Sequence, residues 1–316
     1  MSGPIATERK PLVEVRDLVT RFDLKGGVFG GITGRVHAVE GVSFDIFPSE
    51  TLALVGESGC GKSTVARSIM QLDRPLSGSM RYDGREIIGA GRATLAAFRR
   101  EVQMVFQDPF SSLNPRMTIG QALTDPMRVH RIARGGELRK RATDLLAKVH
   151  LPSEHLERYP HAFSGGQRQR ICIARALALD PRLLIADEAV ASLDVTIQAQ
   201  VINLLMDLQH DMGIAILFIS HDMAVVERIA HRVAVMYLGE IVEIGDRRSV
   251  FSNPQHPYTR KLLSTVPVAD PKQRPVGREP MSDEIPSAVR GVDFVPIRLP
   301  MKAVSSTHFV RQTALA

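Results

Sequence analysis

Gly56-Glu57-Ser58-Gly59-Cys60-Gly61-Lys62-Ser63-Thr64 follows the apolar run Leu52-Ala53-Leu54-Val55 and opens into a helix-compatible segment over residues 65–72. Glycines lack a Cβ, so successive backbone N–H groups can curl around phosphate oxygens. The helix start beyond Gly61 adds its partial positive charge to the same anion. In such a loop Lys62 would reach the β- and γ-phosphates and the Ser63 hydroxyl would ligate Mg²⁺. A glycine turn ahead of an ordinary surface helix is the plain alternative, and the strand–loop–helix context argues against it. The stretch reads as a nucleoside triphosphate site.

Other chemistry-bearing residues stand at the ends of apolar runs. Leu183-Leu184-Ile185-Ala186 delivers Asp187-Glu188, at the edge where open parallel sheets bind ligands. Asp187 would hold Mg²⁺ through water and Glu188 would polarise the attacking water. Residues 102–106 end at Gln107, which could reach a metal or that water. Residues 215–220 end at His221, placed to contact the γ-phosphate. Ser164-Gly165-Gly166-Gln167 precedes a helical pattern over 168–179. Ser164 can cap that helix and the glycines expose its first N–H groups, making a second anion-binding helix start. A purely structural cap would not need two glycines and a glutamine. Phe22, ending the first predicted strand, is a candidate to stack on an adenine ring.

The elements that must position these groups alternate in type. Residues 1–11 read as a loose arm. Residues 12–22 and 36–46 alternate apolar and polar side chains, as half-buried strands do. Between them Lys25 to Gly34, with five glycines, reads as a loop. Residues 80–84 suggest a hairpin turn, and 233–244 a hairpin around Gly239. Residues 110–162 carry helical spacing over 119–130, with Pro126 as a kink, and over 137–149. They read as a small helical subdomain inserted into an α/β core. From residue 251 proline density rises, and 267–316 shows little periodicity, reading as an extension of weak or partner-dependent order.

Composition bounds the remaining choices. The 316 residues are 44% hydrophobic and 23% charged, ordinary soluble values, with a net charge of +6. No basic run interleaved with aromatics points to nucleic acid. The polar start predicts no signal peptide, and no apolar run approaches a membrane-spanning length. Two cysteines, Cys60 and Cys172, argue against a disulfide, zinc or iron–sulfur framework.

GESGCGKST, Gln107, FSGGQ, LLIADE, SLD and His221, in this order and spacing, resemble the ATP-binding cassette of an ABC transporter over residues 12 to about 265. FQDPFSSLNPR and NPQHPYTRKLLSTVP resemble the ATPase subunits of bacterial peptide and nickel importers. ICIARALAL, DEAV and HDMAVVERIAHRVAVMYLGEIVEIG look like the glutathione-type cassettes. The resemblance implies a P-loop NTPase (RecA-like) α/β core with an antiparallel β subdomain and an inserted α-helical subdomain at about 110–162. It also implies a peptide-importer C-terminal extension over 251–316. Phe22 matches the adenine-stacking aromatic and Gln107 the Q-loop residue. Ser164, Gly165, Gly166 and Gln167 match the signature that closes over ATP held by an opposite subunit. Glu188 matches the catalytic base, Asp194 the D-loop acid and His221 the switch histidine.

Two departures stand out. Ala189-Val190 replaces the usual Pro-Thr after the base, and Ala191-Ser192-Leu193-Asp194 replaces Ser-Ala-Leu-Asp. The first is shared with glutathione-type cassettes; the second moves a hydroxyl by one position. The cofactors implied are ATP and Mg²⁺. The partners implied are two transmembrane permease subunits, a second and different cassette, and a solute-binding protein across the membrane, with no nucleic acid. The expected location is peripheral, on the cytoplasmic face of the bacterial plasma membrane. A soluble ABC ATPase acting on ribosomes or DNA is the alternative. It would need tandem cassettes or a coiled coil.

Overall fold

The computed structural model describes residues 10–26, 31–264 and 288–312. These fall in two compact units. One is drawn from residues 10–16, 44–51 and 79–217; the other from 17–26, 31–43, 52–78, 218–264 and 288–312. In chain order the elements begin with β1 (Val13–Gly26), β2 (Gly31–Ile46), β3 (Thr51–Val55) and α1 (Lys62–Ile69). Next come β4 (Ser77–Tyr82), β5 (Arg85–Glu86), α2 (Arg92–Glu101) and β6 (Val102–Val105). The helical stretch holds α3 (Pro109–Ser112), α4 (Ile119–Val129) and α5 (Gly136–Lys148), and leads to α6 (Gly165–Leu177). Then follow β7 (Leu183–Asp187), α7 (Val195–Met212), β8 (Ala215–Ser220), α8 (Met223–Ile229), β9 (Arg232–Tyr237) and β10 (Glu240–Asp246). The last elements are α9 (Arg247–Ser252), α10 (Pro257–Ser264), β11 (Val289–Arg290), β12 (Met301–Ala303) and β13 (Phe309–Arg311).

In the first unit, β6 and β7 pair in parallel, with Val105 opposite Ala186. Every residue of β7 is buried, as expected of a parallel strand covered on both faces. The parallel register brings both C-terminal ends to one edge, where Gln107 and Glu188 emerge. The β4–β5 hairpin turns through Asp83 and Gly84, both at positive φ (48° and 79°), the signature of a type I′ turn whose twist suits the strands. The helical expectation over 110–162 also matches these elements. α4 starts in a reciprocal box between Thr118 and Gln121 and carries Pro126 inside it. It packs against α5 through faces that bury Leu123, Met127, Leu145 and Leu146.

In the second unit neighbouring strands run in the order β12-β13-β10-β9-β3. β3 is wholly buried and pairs in parallel with β9, Val55 opposite Val235. β9 and β10 form the predicted hairpin, turning through Leu238 and Gly239 at φ 47° and 86°.

Two expectations fail here. Residues 25–26 and 31–34 are strand, not loop, since β1 runs to Gly26 and β2 resumes at Gly31; residues 27–30 lie outside the described residues. Glycines lower strand preference without forbidding extended backbone. The expectation of weak order over 267–316 also fails for 288–312. β13 pairs with β10 (Glu243 opposite Val310) and β11 with β2 (Val289 opposite Val36). A buried hydrogen bond, His308 Nε2 to Glu243 Oε1 at 2.7 Å, fastens this segment. The rest of the predicted extension and the arm before residue 10 lie outside the described residues. No helix among the described residues is long and apolar enough to cross a membrane.

Candidate nucleotide site

The glycine loop sits in the second unit between β3 and α1. A Cβ on Gly56 (φ 155°) would run into the Met236 carbonyl oxygen, and one on Gly61 (φ 108°) into that of Ala38. At Gly59 (φ 81°) it would meet nothing within 4 Å. The loop is therefore closed against backbone behind and open in front. α1 begins at Gly61 with no capping side chain, so its first N–H groups are presented by backbone alone. Lys62, only 3% exposed, donates Nζ to the carbonyls of Gly56 (2.7 Å) and Glu57 (2.9 Å). A buried ammonium needs such acceptors, and this one stands inside the loop where a phosphate would exchange for them. Burial pushes the neighbouring Cys60 thiol up, although the Lys62 ammonium 3.9 Å away opposes it.

The carboxylate pair sits in the first unit. Asp187 ends β7 and Glu188 follows, both buried. Gln107 Nε2 donates to Glu188 Oε2 at 2.7 Å. The orientation of the amide is dictated, because an ionised carboxylate only accepts. Glu188 is also at positive φ (46°), a conformation that costs a non-glycine residue about 1–3 kcal/mol and gathers at functional sites. The turn behind it closes by the Ala191 N–H donating to the Glu188 carbonyl at 3.1 Å.

α6 starts as predicted at Ser164. Ser164 Oγ accepts the Gln167 N–H at 3.4 Å, and Gln167 Oε1 accepts the Ser164 N–H at 3.1 Å, the reciprocal capping box. The glycines turn out to have a packing role as well. A Cβ on Gly166 would lie 2.3 Å from Ile197 Cγ2, and one on Gly165 3.7 Å from Leu193 Cδ2. Thus the first turn of α6 lies against residues 193–197, and packing requires a glycine at 166 while 165 has room for a Cβ. This, with the place of Gln167 in the capping box, corrects the expectation that a structural cap needs neither glycine nor the glutamine. Asp194 caps α7 by accepting the Ile197 N–H at 2.9 Å.

Of the single residues, Phe22 on β1 is 40% exposed, accessible enough to stack on a planar ligand. His221 follows the last residue of β8 and is exposed. Ser58 and Gly59 are exposed, while Ser63 and Thr64 are half-buried in the first turn of α1. Ser63 in the second unit carries a hydroxyl, and Gln107 and Asp187 in the first carry an amide and a carboxylate; each oxygen is of the hard kind that Mg²⁺ takes alongside water and phosphate.

Sequence reasoning missed Tyr258, on α10. Its Oη accepts the N–H of Glu57 at 2.9 Å, and its ring lies 4.3 Å from that of Tyr237. No local pattern could have found it, since 201 residues separate the partners.

An ABC transporter family model matches residues 39–191, which take in the glycine loop, Gln107, Ser164 and Glu188. The chain carries an ABC transporter domain. A second model, the oligopeptide/dipeptide transporter C-terminal region, matches residues 242–296. Glutathione import ATP-binding protein GsiA of Pectobacterium atrosepticum is 54% identical over 312 residues, 99% of this chain and 50% of that protein. The Escherichia coli K12 protein of that name is 56% identical over 305 residues, 96% of this chain and 49% of that one. The chain thus spans about half the length of the curated relatives it matches. Among solved structures, cbiO1 of Clostridium perfringens, part of an ABC transporter complex, is 29% identical with a TM-score of 0.66, covering 77% of this chain and 91% of that one. A dimeric post-hydrolysis state of the ATP-binding cassette MJ0796, bound to ADP and Pi, is 28% identical with a TM-score of 0.66, covering 75% and 99%. The ABC chain therefore has the α/β P-loop NTPase fold that its sequence implied.

Proposed function

We propose that this chain is the ATP-binding and ATP-hydrolysing subunit of an ABC importer for a peptide-like solute, peripheral on the cytoplasmic face of a bacterial plasma membrane. The observation that carries the hydrolytic part is the Gln107–Glu188 hydrogen bond. It fixes a buried carboxylate in a strained turn at the end of a buried strand, an arrangement a mere solvated acid pair does not need. The importer part is supported by the match at residues 242–296 and by the import names of the relatives. Those names favour import over action on ribosomes or DNA.

In this reading ATP supplies the phosphoanhydride that is cleaved. Lys62 Nζ exchanges the Gly56 and Glu57 carbonyls for the β- and γ-phosphates, and the N–H groups of Gly59 to Thr64 hold the same anion. Phe22 stacks on the adenine. Ser63, Gln107 and Asp187 would hold Mg²⁺, which neutralises developing charge. Glu188 accepts a proton from the attacking water, Gln107 orients that carboxylate, and His221 contacts the γ-phosphate. Ser164, Gly165, Gly166 and Gln167 serve the site of an opposite cassette, with Asp194 beside them. The assembly would hold two permease subunits, a second and different cassette, and a solute-binding protein. The cassette spans 12–265, with the helical subdomain at about 110–162 and the importer-type extension over 251–316.

Glu188→Gln tests the core of this proposal. The purified variant is expected to bind ATP with near-native affinity and to hydrolyse it about 10²–10⁴-fold more slowly, the range for a lost general base. Near-native turnover would remove Glu188 from its role. Uptake of labelled dipeptide, oligopeptide, glutathione and nickel in a deletion strain identifies the solute.

A further inference from the structure

We propose that Tyr258 is a positioning residue for the phosphate loop, and that the C-terminal segment reaches the loop through His308, Glu243 and Tyr258. The proposal rests on the reading that residues 56–64 bind nucleotide. Every contact in the chain lies within the second unit. Glu243, 0% exposed, accepts the backbone N–H of Gln255 (2.8 Å) and His256 (2.9 Å) in the turn before α10. A buried carboxylate demands donors, and it takes its third from His308 Nε2 at 2.7 Å, in the segment that β13 ties to β10. The turn so fixed continues into α10, where the Tyr258 N–H donates to His256 Nδ1 at 3.2 Å. The Tyr258 ring, packed on Tyr237 at the end of β9, then presents Oη to the Glu57 N–H.

The place of that last bond gives it consequence. Glu57 follows Gly56, whose back is against the Met236 carbonyl, and the Gly56 and Glu57 carbonyls are the two that hold Lys62. Tyr258 therefore fixes the peptide from which Lys62 must move to meet a phosphate. It does so at the loop's entry, leaving the N–H groups of the α1 start for the ligand. An acceptor that keeps a binding loop in its competent shape raises affinity by raising the competent fraction.

Two measurements on the full chain separate this proposal from the reading beneath it. The first is hydrogen exchange of the Glu57 amide without nucleotide. Tyr258→Phe, which keeps the ring and loses the acceptor, is expected to lower protection about two- to tenfold, the span of a typical hydrogen bond. His308→Ala is expected to lower it in the same direction and to add nothing in the Tyr258→Phe background. His308→Gln, which can still donate to Glu243, should restore it and covers the case in which the alanine variant folds poorly. The second is calorimetry with Mg-ATP, where Tyr258→Phe should weaken binding by a similar factor and raise KM more than it lowers kcat. Unchanged Glu57 exchange in Tyr258→Phe, or losses that multiply in the double variant, would overturn the linkage. Altered exchange with unaltered ATP affinity would overturn the positioning role. A wild-type chain that binds no ATP would instead overturn the nucleotide reading, and the positioning role with it.

Discussion

Gly166→Ala perturbs the start of α6 at one atom pair. The new Cβ would stand 2.3 Å from Ile197 Cγ2, whereas carbons pack at about 3.5–4.0 Å. A gap of more than about 1 Å must therefore open between α6 and the first turn of α7. Ile197 has little freedom to turn away, because a β-branched side chain in a helix keeps essentially one χ1 rotamer. Overpacking of this kind costs about 1–3 kcal/mol, while replacing a helical glycine by alanine returns up to about 1 kcal/mol. The clash wins, and a net loss of about 1–2 kcal/mol lowers Tm by about 1.5–3 °C in a chain of 316 residues. ATP hydrolysis should fall as well, since the turn that moves carries Ser164 and Gly165. Melting and steady-state hydrolysis of Gly166→Ala, Ile197→Ala and the double variant measure this directly. The alanine at 197 vacates the space, so the double variant should lose about 1–3 kcal/mol less than the sum of the singles. A Gly166→Ala variant as stable and active as wild type, or strictly additive losses, would refute the packing argument.

Three further outcomes follow from the same geometry. Lys62→Ala should lose most ATP binding by calorimetry, because the cation inside the loop goes and nothing else there replaces it. On the proposed reading, hydrolysis should rise in specific activity with protein concentration, and further with a partner cassette; Ser164→Arg should block turnover while leaving ATP binding by the monomer, because in that reading the donors at that helix start act on charge developing in an opposite site. Burial pushes the Cys172 thiol up to about 11, so alkylation at pH 8 should be about a hundredfold slower in the folded chain than in the unfolded one. The sign for stability follows. The folded state disfavours the thiolate, so its contribution is complete below the unfolded pKa and is lost as pH rises towards about 11, which melts taken at pH 8 and pH 10.5 would reveal.

What the sequence made legible was chemistry tied to local pattern. Leu183 to Ala186 could be recognised as a buried strand ending in carboxylates because four apolar residues in a row leave no polar face. Ser164 could be recognised as a helix cap, although the part Gln167 plays in a reciprocal box was not read from it. The hydrogen bond from Gln107 to Glu188, 81 residues apart, was not legible, because it depends on the parallel pairing of β6 with β7. Order in 288–312 was not legible, because β11 has two residues and β12 and β13 have three each, too few to show a period of two. Their place is set by pairing and by His308 on a carboxylate 65 residues away. The loop predicted over 25–34 failed for a related reason. Neighbouring strands decided the backbone there, and glycine content did not. The packing reason for Gly166 was invisible too, since it depends on which residue of α7 comes to rest against it.

The positive φ of Glu188 sets stability and activity against each other at one position. Glycine or asparagine would occupy that backbone with less strain, so relief of strain, set against the lost Gln107 hydrogen bond, favours a replacement that on the proposed reading silences the chain. Selection for robustness alone would therefore drift towards an inert scaffold that still holds its nucleotide. Keeping the glutamate requires selection for turnover itself. A stability-directed redesign of this chain would have to exempt residue 188 by hand, since a score built on relief of backbone strain would be inclined to discard it.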